Sequence, residues 1–423
     1  MLVKVDINIQ GKERIKLMLC FKLKTQQTMK EEQISAMIKK EVAAWFASQQ
    51  GQTDGYQYEK TFVECWRSVG QKVLQESLGR IPGSKNKKKK LQSSLGEIIV
   101  PNSHSINKMA NNFRMTSYLQ ENVCFVGQKE TFEEGSETLL KLLGIEVSNK
   151  QIQRVSEHYG QCLEEDIEQQ VKEEDAPCIV KQDSSQLIYA MNDGSMVFTR
   201  EEKWKEIKLG RAFNAQDNLA ITKDRNWIEK SKYCAFLGGH EAFLKRFELL
   251  LYGYINIVFI ADGARWFWDW ASLWYPNATQ ILDYFHCKEY LCEFAQFVFK
   301  DKQQRDQWIK QQEELLFSDK VNEVISNIKT FIGLTEEGAA YQHKISTYYQ
   351  NNQTRMLYGT YREKGLLIGS GPIESAHRNI IQKRLKLSGQ RWGKPGVQQI
   401  ANLRVAHKSD DWNKVVEMIK KAA

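Results

Sequence analysis

Three acidic residues have the types and settings that two-metal phosphoryl transfer requires: Asp193 in YAMNDGSMV, Asp262 in INIVFIADGARW and Glu374 in GSGPIESAHRNIIQKRLK. Carboxylate oxygens are the hard ligands that Mg²⁺ and Mn²⁺ prefer. Two such ions about 3.5–4 Å apart activate an attacking oxygen and stabilise a leaving one. Without cations, three gathered acids would repel one another. Asp-Gly is also the commonest turn dipeptide, so either aspartate taken alone reads equally well as a turn residue.

The elements around these acids decide whether they can meet. Asp262 closes the run Ile255 to Ala261, whose apolar and β-branched content suits a strand buried on both faces of a parallel sheet. Asp193 follows the apolar run Leu187 to Met191 and reads as a strand end, preceding Gly194, which allows a turn or a close approach of backbone to ligand. Gly369, Ser370, Gly371 and Pro372 end one element and start a helix, which puts Glu374 in its first turn. After Asp193 the runs MVFTR, WKEIKLGRAF and KYCAFLGG read as an antiparallel meander. Glu241 to Gly253 and Ala264 to Trp274 have helical spacing, and Ala278 to Tyr284 reads as a fifth strand. The order βββαβαβ, followed by a helix with the last acid, is that of a ribonuclease H-like fold.

These segments resemble the bacterial insertion-sequence DDE transposases, most of all the group called ISKra, with the ISLre group and Mutator-like elements as relatives. The resemblance is carried by MNDGSMV, by WKEIKLGR, by IADGARWFWDW running into ATQILDYFHCKEYL, and by IGSGPIESAHRNIIQKRLKLSGQRW; it spans residues 95 to 412. It implies that Asp193, Asp262 and Glu374 bind two catalytic Mg²⁺ (or Mn²⁺) ions, for cleavage at the ends of a DNA element and attack of the freed 3′-hydroxyl on target DNA. The implied partner is double-stranded DNA, both terminal inverted repeats and target, held by a homodimer because two ends must be brought together. The Asp283-Tyr-Phe-His286 run matches an Asp-x-x-His element expected beside the active site. His286 and His377 are candidates to orient a carboxylate or contact the scissile phosphate, with a core histidine as the plain alternative. Gln390 departs from the resemblance, which calls for methionine before the Arg-Trp pair. Two other functions stay open: a structure-selective nuclease on the same scaffold, and a transposase-derived DNA-binding protein without catalysis, against which the intact acid set argues.

Sixty Lys and Arg against 52 Asp and Glu leave the 423-residue chain at +8, a balance that favours polyanions. The excess is local: Arg378, Lys383, Arg384, Lys386 and Arg391 follow Glu374 with no acid between them, and with Trp392 they form the expected DNA contact. A solvated helix face is the bland reading of the same cluster. Upstream, residues 131–160 read as helix, turn, helix. Phe132, Leu139, Leu140 and Leu143 share a face, Gly144 breaks it, and Ser148 caps a helix that offers Lys150 and Arg154 to bases or phosphates. A purely structural helical hairpin explains that segment as well.

The eight cysteines show no C-x-x-C pair, so reduced thiols in a cytoplasm are expected, and the resemblance implies a bacterial, nucleoid-associated location. No run reaches the ~20 apolar residues that span a bilayer, so no membrane association is expected. Gly369-Ser-Gly371 lacks the residues of a phosphate-binding loop, so no nucleotide cofactor is expected either. The expected organisation begins with a mainly helical region of unassigned role (1–80), containing a hairpin over Val3 to Leu23 and two amphipathic helices. A basic linker (81–94) and a helix-turn-helix-like DNA-binding region (95–180) follow. An α/β ribonuclease H-like core with a mixed five-stranded sheet (181–291) is then interrupted by an all-helical insertion (292–366) before the Glu374 segment (367–423). Within the insertion, Tyr348, Tyr349, Arg355, Tyr358, Tyr361 and Arg362 read either as a base-stacking surface or as core packing.

Overall fold

The computed structural model describes residues 2–9, 13–20, 31–78, 88–102, 104–108, 113–174, 186–222 and 225–421. It divides into two compact units, 1–159 with 413–423, and 160–412. In the first, the strands Leu2–Ile9 and Glu13–Cys20 form the expected hairpin. The helices Glu31–Ser48 and Gly55–Leu78 pack through Ile34, Ile38, Val42, Val69 and Val73, as their apolar spacing predicts. Residues 81–87 of the expected linker lie outside the described residues. The rest of it is not a linker: Lys88–Ser93 is a strand paired with Gly96–Pro101. Its inward residue Leu91 and the partner strand's Ile98 and Val100 are fully buried, which offsets the like charges of Lys88, Lys89 and Lys90.

The helix-turn-helix segment forms as Phe132–Leu143 and Asn149–Glu174. Thr131 and Glu134 make a reciprocal capping box, and Gly144 ends the first helix at φ 66°, where glycine is cheapest. Leu140, expected on the buried face, is instead 49% exposed.

The second unit is mixed α/β, built on a five-stranded sheet. Its strands are β1 (Ile188–Thr199), β2 (Lys203–Asn214), β3 (Lys232–Leu237), β4 (Ile257–Ala261) and β5 (Thr279–Leu282), in the spatial order β5-β4-β1-β2-β3. The first three are antiparallel neighbours, and β4 runs parallel to both β1 and β5. All five residues of β4 are buried, as a doubly covered strand demands. Helices α1 (His240–Leu251) and α2 (Arg265–Trp274) cover one face, where Phe243, Phe247, Phe267 and Trp268 pack on Ile188, Ala190, Ala212 and Phe259. After β5 come α3 (Tyr284–Val298), then α4 (Lys302–Leu316), α5 (Val321–Lys329), α6 (Glu336–Asn352) and α7 (Tyr358–Glu363), so the insertion is helical throughout its regular elements. Helix α8 (Gly371–Ala376) continues as a π-helical stretch, His377–Gln382, and α9 (Lys394–Lys408) follows. Among the described residues no helix is long and apolar enough to cross a membrane.

Two departures from the sequence reading bear on the site. Asp193 does not end a strand; β1 runs on through Gly194 to Thr199 and pairs throughout with β2. Gly194 makes no turn: a Cβ there would stand 2.1 Å from a carboxylate oxygen of Glu206, so the glycine serves close approach rather than backbone reversal. The chain also inserts a hairpin between β2 and β3, Asn218–Thr222 with Arg225–Ile228, which the meander reading lacked.

Candidate active site

Strand register brings the first two acids level. Residues alternate faces along a strand, and the β4 to β1 ladder pairs Ile260 with Met191. Two residues on, Asp262 therefore stands beside Asp193. Asp193 shares with Met191 and Ile260 the face opposite α1 and α2, and Asp262 follows directly on the end of β4. The β4 to β5 ladder ends on Ala261 opposite Leu282, so Asp283 continues the same row. The backbone of Asp262 is pinned by Trp268 Nε1, which donates to its carbonyl at 2.7 Å, and its Oδ1 accepts from Ala264 N at 3.1 Å. Burial raises the Asp262 carboxyl above its ordinary value; the Ala264 N–H and His286 oppose this, and the charges of Asp193 and Glu206 reinforce it. One edge stays open to solvent, so the enclosure is one-sided.

Asp283 locks the segment that precedes Glu374. It is fully buried and caps α3, accepting from Phe285 N at 3.3 Å and His286 N at 3.2 Å. It also accepts from Ser370 N at 2.8 Å, Ser370 Oγ at 2.9 Å and His286 Nδ1. Burial would raise this carboxyl, but His286 and Ser370 together hold it below its ordinary value. The Asp283 bond in turn lifts His286 to about 9, against the effect of burial. Ser370 Oγ also lies 3.4 Å from Glu374 Oε1, so one hydroxyl spans Asp283 and Glu374.

Helix α8 docks on the same face. Arg211 Nη1 donates to Pro372 O at 2.6 Å, and its Nε and Nη2 hold Ser231 Oγ at 3.1 and 2.9 Å. His377, one turn after Glu374 and 3% exposed, has Nε2 3.0 Å from Asp193 O and 3.7 Å from Asp193 Oδ2. Burial lowers the His377 pKa, opposed by Asp193, so the neutral ring donates from Nε2 to the Asp193 carbonyl. The π-helical turn begins at this residue; such turns recur at functional sites. Among the described residues, no three His, Cys, Asp or Glu side chains stand close enough together, as they lie, to hold a metal ion.

Glu206 is an acid that the sequence reading passed over. It lies on β2 and forms an ion pair with Lys208, which is 6% exposed and also donates to Gly238 O at 3.1 Å. Two residues of opposite charge spaced i, i+2 on one strand share a face, and that spacing in WKEIKLGR was the available signal.

The basic cluster divides. Arg378, Lys383, Lys386 and Arg391 are exposed, and Lys386 Nζ donates to Ser195 Oγ at 3.0 Å beside Asp193. Arg384 and Trp392, expected on the DNA surface, are enclosed instead: Arg384 is 1% exposed and stacks its guanidinium 4.8 Å over the Trp392 ring. Trp392 carries the bridge to the end of β1, its carbonyl accepting from Arg200 N at 2.9 Å, and this packing explains its burial. Lys150 and Arg154 are exposed on the first turns of Asn149–Glu174, in the first unit.

The insertion tyrosines serve mainly as anchors to β5 and α3 rather than as a base-stacking surface. Tyr349, Tyr358 and Tyr361 are buried and donate to the carbonyls of Cys287, Leu282 and Gln280. Arg355 lies over Trp268, and Arg362 over Phe317. Tyr348 differs: it is half-buried, stacks on Tyr290 at 4.4 Å between centroids, and walls the loop after Asp262, where a Cβ on Gly263 would meet its ring at 2.1 Å. No protein-family model matches the chain, and no curated protein matches it.

Proposed function

We propose that the chain is a DDE transposase with a ribonuclease H-like catalytic core, cutting DNA at element ends and joining the freed 3′ ends to target DNA. The observation that carries this reading is that Asp193 on β1 and Asp262, just past the end of the adjacent parallel strand β4, lie near enough to sense each other's charge, with the Glu374 helix tied to β1 and β2 through His377 and Arg211. The strand order β5-β4-β1-β2-β3, with three antiparallel strands followed by two parallel ones, supports the fold assignment.

The donor set suits hard divalent cations in kind: three carboxylates, one of them with its charge disfavoured by burial and neighbouring acids. Asp193, Asp262 and Glu374 would hold Mg²⁺ or Mn²⁺, which when bound supply activation of an attacking oxygen and stabilisation of a leaving one. The chain's own residues do the rest. Trp268 fixes the Asp262 backbone, His377 fixes that of Asp193, and Asp283 holds the turn that presents Glu374. Arg378, Lys383, Lys386 and Arg391 hold the phosphate backbone alongside, since exposed cations there face no competing acid within the segment.

The test is a cleavage and strand-transfer assay in Mg²⁺ or Mn²⁺ on DNA carrying the flanking ends of the chain's own gene, comparing wild type with Asp262→Asn. Joined product that requires Asp262 is the expected result. Cleavage without joining would replace the proposal with a nuclease, and binding without cleavage would leave a DNA-binding protein.

A further inference from the structure

A cavity of about 680 Å³ lies against the second unit beside α8, between that helix and the inserted hairpin. Ser375, Ala376, Asn379 and Ile380 of the helix line it, whereas Glu374 and His377 do not, so the helix separates it from the acid row. Its rim carries two large aromatic rings left open to solvent, Trp227 on the hairpin at 56% and Phe285 at the start of α3 at 54%. The lining also includes the amides of Asn218, Asn226 and Asn379, the cation Lys408, and Arg211, whose guanidinium is engaged by Pro372 O and Ser231 Oγ; among the described residues no carboxylate lines the cavity. Asn379 Nδ2 donates one of its two hydrogens to Ser375 O at 3.0 Å, which leaves the other N–H and Oδ1 as polar edges. Phe285 is held in place by its approach to Gly369, where a Cβ would stand 2.4 Å from the ring.

Each feature narrows the ligand. Exposed flat rings select a flat apolar partner, amides read hydrogen-bonding edges, and a lining with cations but no acid selects an anion. A nucleotide has all three, and the volume falls within the range of ordinary ligand pockets. The position narrows it further. Phe285 immediately precedes His286, which bonds Asp283, so the cavity and the acid row flank the same helix α8.

We propose that this cavity receives one unstacked DNA nucleotide near the cut, its base against Trp227 and Phe285 and its phosphate drawn by Lys408. The inference rests on the DNA reading given above. It assigns the inserted hairpin a task, to carry Trp227, and makes single-stranded or distorted DNA at the cut the preferred substrate.

The probe is a duplex with a short single-stranded 3′ extension, compared with the same duplex in which each extension base in turn is replaced by an abasic sugar. Binding to the full chain is measured by fluorescence anisotropy, and cleavage is measured in Mg²⁺. Base stacking on an aromatic ring predicts about ten-fold weaker binding when one particular base is removed. Trp227→Ala should erase most of that difference while duplex binding persists, and 5-iodouracil at that position should photocrosslink to Trp227 or Phe285. Trp227 is exposed, so its loss should leave folding intact, which a melting curve checks. Wild type that binds and cuts DNA yet treats every abasic extension alike would overturn the pocket alone. Wild type that neither binds nor cuts would overturn the transposase reading with it.

Discussion

Replacing His286 with alanine should cost stability in a way that depends on pH, and the structure sets both size and sign. Asp283 is fully buried and keeps four other donors when the imidazole goes: Ser370 N, Ser370 Oγ, His286 N and Phe285 N. The loss is therefore chiefly that of the charged partner. A histidine held at about 9 rather than 6.5 corresponds to about 3 kcal/mol at ~1.4 kcal/mol per pH unit. The ring is 40% exposed, and solvent screening reduces this to about 1–2 kcal/mol. Because the folded pKa of His286 is raised, its contribution is complete below 6.5 and is lost as pH climbs through about 9. Because that of Asp283 is lowered, its share is present above the ordinary carboxylate value and is lost in stronger acid. Urea unfolding of wild type and His286→Ala across this range should show a gap at mildly acidic pH that closes in alkali. A gap equally large on both sides of pH 9 would refute the reasoning and assign the residue to packing alone.

Asp262→Asn should abolish metal-dependent cleavage while leaving the melting temperature at neutral pH unchanged or raised, because burial and neighbouring acids disfavour the charge it removes. Gly263→Ala drives a Cβ into the Tyr348 ring, so a loss of about 1–3 kcal/mol in denaturant unfolding should accompany a fall in cleavage. Arg211→Ala leaves Pro372 O and Ser231 Oγ without their donor and should cost about 2–4 kcal/mol, with activity lost through displacement of α8. Trp392→Ala should lose about 3–5 kcal/mol of stability. In contrast, Arg391→Ala or Lys383→Ala should leave the melting curve alone and lower the slope of log affinity against log salt by about 0.9 each.

The parts of the fold that sequence makes visible are those where one local rule dominates. An unbroken apolar run such as Ile257 to Ala261 has few places to go other than a strand covered on both faces, and its register then fixes where Asp262 emerges. The helices of the insertion likewise carry their spacing in the open, as Val321, Val324, Ile325 and Ile328 show by all being buried. Local rules fail where two of them compete. Asp193-Gly194 satisfies the turn rule, but β2 offers a full ladder of partners from Lys203 to Asn214, and pairing wins over reversal. The lysines at 88 to 90 satisfy the linker rule, yet Leu91 with Ile98 and Val100 supplies enough inward surface for a hairpin.

The site is less legible than the fold, because its chemistry depends on which polar groups are enclosed. Arg384 and Lys383 are adjacent and chemically alike in sequence; only packing places one under Trp392 and the other in solvent. Asp283 and Asp262 each close a parallel strand and stand level, so register alone makes them equal candidates for a cation. What separates them is saturation. Asp283 is enclosed, already accepts from Ser370, Phe285 and His286, and has its charge favoured, whereas Asp262 keeps an edge open to solvent and has its charge disfavoured. An acid whose lone pairs are filled by the protein holds the scaffold together. An acid left at the rim with its charge uncompensated can gain from a cation, and that difference is why the proposed reading takes Asp262 rather than Asp283 as the cation ligand.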